Sequence, residues 1–147
     1  MRLILSIFAL FLITLYAGCS SSSPAPATID GKWTYTTTDG KIKVTFELTT
    51  STSGDVTIKN PASITVNGTS GDAAAQITGV SMPNIGTIII NANSPALVYS
   101  HSITFTTCKF VNTTNKIDVS TGSYTIYSAG NSGGTTNTFA SVSIIRP

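Results

Sequence analysis

The sequence predicts an all-β fold: a single small antiparallel β-barrel or, with equal support, a Greek-key β-sandwich. Three observations predict it. Past residue 30, apolar side chains recur at every second position in short runs, and no window keeps a helical period. The runs are rich in Val, Ile and Thr, which suit a pleated, half-buried surface. Between them stand Gly, Asn, Asp and Pro at turn spacing, which gives about eight to ten strands and no helix. Residues 29–147 suffice for one domain with a modest core.

The chain opens differently. Residues 1–18 carry one charge, Arg2, then an apolar run from Leu3 to Tyr16 broken only by Ser6 and Thr14, and end in Ala17-Gly18. That run is too short to cross a bilayer as a permanent helix and has the form of a signal-peptide core. Small residues just ahead of Cys19 resemble the lipobox of bacterial lipoproteins, although Tyr16 stands where that family carries an aliphatic residue. The resemblance implies that residues 1–18 are a cleaved lipoprotein signal peptide and that Cys19 becomes a lipidated N-terminus. Its chains, palmitate among them, would hold the protein to a membrane, since stable anchoring takes more than one chain. Ser20, rather than Asp, follows the Cys, which favours the outer membrane of a Gram-negative envelope. Residues 20–27 (SSSSPAPA) have nothing to bury, so 19–28 reads as a lipidated tether.

Charge is sparse and nearly balanced, with Lys and Arg numbering 8 and Asp and Glu 6. With no basic cluster, nucleic acid is not an expected partner. Two cysteines in an exported chain ordinarily suggest a disulfide. A lipidated Cys19 has no free thiol, so Cys108 is expected to be a lone buried one that packs as a small apolar residue. Asn67-Gly68-Thr69 and Asn112-Thr113-Thr114 match a glycosylation sequon and are read here as turns.

The first hairpin is centred on Asp39-Gly40, a pair that favours a two-residue type I′ turn. Trp33 then faces Phe46, Tyr35 faces Val44 and Thr37 faces Ile42, so every large apolar residue on both arms shares one side. Lys41, Lys43, Thr45 and Glu47 take the other. In a second hairpin Val56 and Ile58 alternate, Asn60-Pro61-Ala62 turns the chain, and Ile64 and Val66 alternate back. After a turn over residues 68–72 come strands at 73–78 and 85–91, separated by a loop holding Gly79 and Pro83. In the third hairpin Val111 pairs with Lys116, so that Phe110 faces Ile117, Cys108 faces Val119, Ile103 faces Tyr124 and His101 faces Ile126. Both arms change their apolar phase at one height, with Gly122 opposite Phe105, which predicts a bend near Gly122. A last strand spans 135–146.

Gly31-Lys32-Trp33, opening the first strand, resembles the Gly-X-Trp that begins lipocalin and other calycin barrels. The resemblance implies that Trp33 lies across a closed barrel end with a late basic side chain over it. Arg146 is in position for that, because the last strand of an up-and-down barrel pairs with the first. The Thr-Asp-Tyr motif and terminal helix of the long-chain lipocalins have no counterpart here.

A catalytic set is not expected. His101 is the single histidine, which excludes a zinc site built on two. Cys108 lies on the same extended segment as His101, roughly 20 Å away at strand rise, so a Cys–His dyad is out of reach. Asp30, Asp39, Asp55, Asp72 and Asp118 fall mostly at turns, where Asp bonds its own backbone. Glu47 lies on a solvated strand face, and no pair of carboxylates is singled out as glycosidase chemistry requires. Neither metal nor cofactor is implied. The expectation is a non-enzymatic, membrane-tethered envelope domain that binds a small apolar ligand, with Tyr99, His101, Ile103, Phe105, Tyr124 and Ile126 as the wall. The alternatives are an adhesive module that recognises glycan or protein through the Gly- and Asn-rich stretch 129–137, and a purely structural envelope protein.

Overall fold

A computed structural model describes residues 28–79, 82–128 and 133–147. Cys19, the leader, the tether up to residue 27 and positions 129–132 of the polar loop lie outside the described residues. Eight strands run in sequence: β1 Gly31–Thr36, β2 Ile42–Thr50, β3 Val56–Val66, β4 Thr69–Thr78, β5 Asn84–Ala92, β6 Ser100–Val111, β7 Lys116–Tyr127 and β8 Thr135–Ile145. Each pairs antiparallel with the next, and β8 returns to β1, closing a barrel. The sandwich alternative is thereby set aside. Asn112–Thr114, a single 3-10 turn, is all the helix among the described residues.

The first hairpin has the expected register, with Trp33 opposite Phe46 and Tyr35 opposite Val44. Its turn is different. Residues 37–40 form it, closed by the Gly40 amide on the Thr37 carbonyl at 2.8 Å, and Gly40 rather than Asp39 has positive φ. A type I′ turn would need positive φ at both. Asp39 is held instead by its own carboxylate, which accepts bonds from the Thr37 hydroxyl at 2.6 Å and the Lys41 amide at 3.1 Å. The two-residue turn occurs at Asn67-Gly68, both at positive φ between the paired Val66 and Thr69. Thr69–Asp72, expected in a turn, therefore belongs to β4.

Asn60-Pro61-Ala62 does not reverse the chain. β3 runs straight through it, and its register against β2 shifts between Thr45 and Glu47. Pro61 has no amide to give a ladder, and the β3–β4 ladder covers only Ala62 to Val66. Beyond it the Asn60 side chain stands in for backbone: its Nδ2 donates to the Ala75 carbonyl at 3.1 Å, and its Oδ1 accepts from the Ala75 amide at 2.7 Å. That satisfaction lets the strand continue, which the residue types alone do not reveal.

The β6–β7 register is as expected at every pair, from Val111 opposite Lys116 to His101 opposite Ile126. The change of face is there too, and it extends further. Buried positions step from Ile85 to Ile88 on β5, Phe105 to Cys108 on β6, and Val119 to Gly122 on β7. On β8 the same step is made by half-buried positions, from Phe139 to Val142. Adjacent strands thus share one corner. The positive φ values sit at Gly86, Thr107 and Ser141, not at Gly122. Gly122 is required for space instead, since a Cβ there would stand 2.3 Å from the Phe139 ring.

Trp33, Phe46, Leu48, Ile64, Ile88, Ile90, Ile103, Phe105, Ile117 and Ile144 fill the interior, each no more than 2 % exposed. One end is sealed. The Trp33 indole donates to the Ile29 carbonyl at 2.8 Å, the Phe110 ring meets it edge-on, and the Arg146 guanidinium lies 4.9 Å over it. Arg146 also bonds the Thr28 carbonyl, so the start of the domain and its last strand are tied across Trp33. The wall is weakest between β1 and β8, which pair only through Thr34 opposite Ile145.

Candidate functional site

At the opposite end, where the β1–β2 and β3–β4 turns lie, the described residues leave a hollow beside β8. It measures about 530 Å³. Its floor is apolar, made by Tyr35, Ile42, Val66, Tyr124, Ile126 and Phe139, and its rim is polar, with Thr37, Thr38, Asp39, Lys41, Asn67, Asn137 and Thr138. Tyr35 and Phe139 stack at 5.3 Å, and Phe105 meets Tyr35 from below at 5.1 Å in an edge-to-face contact. Such pairs are geometrically specific, so the floor is preformed. Asp39 and Lys41 oppose each other across 4.0 Å on the rim.

A second hollow of about 210 Å³ shares Val66 and Asn67 with the first and is bounded by Thr69, His101 and the loop from Ala96 to Tyr99. Leu97 closes that loop inward, fitting over Gly71, where a Cβ would stand 3.0 Å from its methyl. Val66 and Asn67 are one wall between the hollows. Opposite, Tyr124 lines the larger and His101 the smaller, and the two are joined by a 2.6 Å bond between Tyr124 Oη and His101 Nδ1 with rings nearly parallel.

Burial sets the electrostatics. It lowers the pKa of His101, which keeps the imidazole neutral, and raises that of Tyr124. Tyr35 is raised by burial first and by the nearby Asp39 charge second. Asp39 itself is lowered, chiefly by the Thr37 hydroxyl bond and then by the Lys41 amide. The site holds a neutral imidazole, two phenols and one balanced ion pair.

Of the residues expected as a ligand wall, His101, Tyr124 and Ile126 meet at the mouth. Tyr99 joins them on the smaller hollow, half-exposed. Ile103 and Phe105 lie beneath, wholly buried in the filled interior. Sequence reasoning missed Tyr35, Ile42, Val66 and Phe139 as part of the mouth. Their apolar phase was visible, but depth along a strand depends on stagger between strands, and local pairing does not give that. Phe139 did carry a signal: it is out of phase with Val142 and Ile144, the same change of face read on the preceding hairpin.

Cys108 is a free, buried thiol whose Sγ donates to the Phe105 carbonyl at 3.4 Å, and burial pushes its pKa up to about 12. It and His101 have separate partners on one strand. The acidic side chains are dispersed: Glu47 pairs with Lys59 at 3.3 Å, and Asp118 with Lys116 at 2.8 Å. Among the described residues no three of His, Cys, Asp and Glu gather at one point. What the mouth offers chemically is apolar contact with a few aimed hydrogen-bonding groups. No family model, curated protein or solved structure matches the chain.

Proposed function

We propose that this is a lipid-anchored lipoprotein of the cell envelope whose non-catalytic, calycin-like barrel carries a small, largely apolar ligand in its mouth. The observation that carries the reading is the apolar, aromatic-floored hollow of about 530 Å³ set above a filled interior. Its size and its mixture of apolar floor with sparse polar rim suit a small molecule. Support for the calycin-like part is Arg146 over Trp33 at the sealed end. Thr28, where the tether joins the domain, lies at that same sealed end, opposite the mouth. Position Ser20 supports the outer membrane of a Gram-negative cell.

Native mass spectrometry of the protein after incubation with envelope lipid extract tests the carrier reading. A retained small mass that Tyr124→Ala abolishes is the expected result, and a bare protein mass from wild type overturns it. For the anchor, Cys19→Ser is expected to move the protein out of the membrane fraction. A second reading, attachment to a surface glycan or protein, is favoured by one feature: Val98, Tyr99 and Tyr127 are 84, 45 and 39 % exposed beside the smaller hollow. Loss of adhesion on Tyr99→Ser with ligand retention intact would support that reading instead.

A further inference from the structure

Resting on the carrier reading, we infer that the ligand is an uncharged amphipath whose hydrogen-bonding group is received by the Tyr35 hydroxyl, with a second unsatisfied group, His101 Nε2, offered in the adjoining smaller hollow.

Two polar side chains more than nine-tenths buried are aimed into the mouth with bonding capacity left over. Tyr35 is 6 % exposed and lines the larger hollow, yet its hydroxyl has no partner among the described residues. It is not sealed in protein either, since among the described residues the one fully buried side-chain polar atom without a partner is Arg146 Nε. The Tyr35 hydroxyl therefore opens on the hollow. The same holds for His101, 4 % exposed, whose Nδ1 is taken by Tyr124 and whose Nε2 has no partner and faces the smaller hollow. Buried polar groups are ordinarily satisfied. Here two of them, from opposite sides of the mouth, await a partner that a ligand or water must supply.

The charge of the ligand follows from what the mouth lacks. The charged groups around both hollows are Asp39 and Lys41. They oppose each other, and Asp39 is further held by Thr37 and the Lys41 amide. Among the described residues lining the hollows no cation stands without a facing carboxylate, and placing an anion on an aromatic floor without one is costly. An alcohol, ester, amide or ketone has no such cost, and each can bond to a phenol. The aromatic floor of Tyr35, Phe139 and Tyr124 takes the apolar body.

The test uses the full-length protein and a neutral dye, N-phenyl-1-naphthylamine, displaced by two competitors of equal chain length, dodecanol and dodecanoate, at neutral pH. Dodecanol is expected to displace the dye at about tenfold lower concentration than dodecanoate, the difference being an uncompensated carboxylate. Tyr35→Phe, which removes the hydroxyl alone, is expected to weaken dodecanol by roughly three- to tenfold, the loss of one neutral hydrogen bond. Asp39→Asn, on an exposed turn, is expected to release Lys41 and move the preference toward dodecanoate. Equal or better displacement by dodecanoate in wild type overturns the inference and leaves the carrier reading standing, as does a Tyr35→Phe protein that binds dodecanol unchanged. A dye that never binds overturns the carrier reading itself.

Discussion

Gly122 shows how much one absent side chain can set. The Phe139 ring occupies the place its Cβ would take, and from there stacks on Tyr35 to floor the mouth. Gly122→Ala is expected to expel the ring and cost about 1–3 kcal/mol, the usual range for overpacking a close contact. Urea unfolding checks the stability, and dye binding should weaken in parallel. Cys108 illustrates the opposite kind of residue, one the surroundings silence. With its thiol pushed up to about 12, it should resist a disulfide reagent in the folded protein and react once urea exposes it. Rapid native-state labelling would contradict the burial. At this scale the sequence was informative about Cys108, where the lipobox resemblance at Cys19, against the disulfide that two cysteines ordinarily suggest, implied a lone buried thiol. It was silent about why Gly122 is glycine, since the reason lies on the neighbouring strand.

At the level of strands, pairing was legible wherever turn residues and alternation agreed. The β1–β2 and β6–β7 registers follow from those two signals, including the simultaneous change of face. They disagreed at Asn60-Pro61, where turn-like residues lie inside a continuous strand. The deciding bonds run from a side chain to Ala75, fifteen residues on. Asn60→Ala is expected to cost about 1–3 kcal/mol, because it strands a paired amide and carbonyl. Hydrogen exchange should report it locally, with the Ala75 amide exchanging faster than the rest of β4. An unchanged Ala75 would mean water replaces the side chain without loss. The mouth was less legible than the strands, because alternation gives facing but neither depth nor volume.

For the molecule as a whole, pH dependence follows from three groups whose pKa values are lowered on folding: His101 by burial, Asp39 by the Thr37 bond and Asp118 by the Lys116 bond. In each case the unfolded chain binds more protons than the native one within the window, so stability rises with pH there. His101 contributes fully above its ordinary value of 6.5 and loses that contribution as pH falls from there toward its folded value. The two Asp residues act lower, below their ordinary 3.8. Urea midpoints should therefore fall in two stages on acidification. His101→Gln should remove the upper stage and leave the lower, and persistence of the upper stage would place its origin elsewhere.

The barrel is closed, but its last seam is held at one pairing, Thr34 opposite Ile145, where every other seam is a ladder. A seam held at one point parts more readily than a ladder, and β1 and β8 meet there along a loosely held edge. Here that edge flanks the larger hollow, with Asn137, Thr138 and Phe139 on one lip and Thr37 to Asp39 on the other. Loading and unloading would then be sideways, through the wall, at a rate set by how often the edge lifts. Pinning it with a disulfide at Thr34→Cys and Ile145→Cys should slow both rates together and leave their ratio, the affinity, where it was.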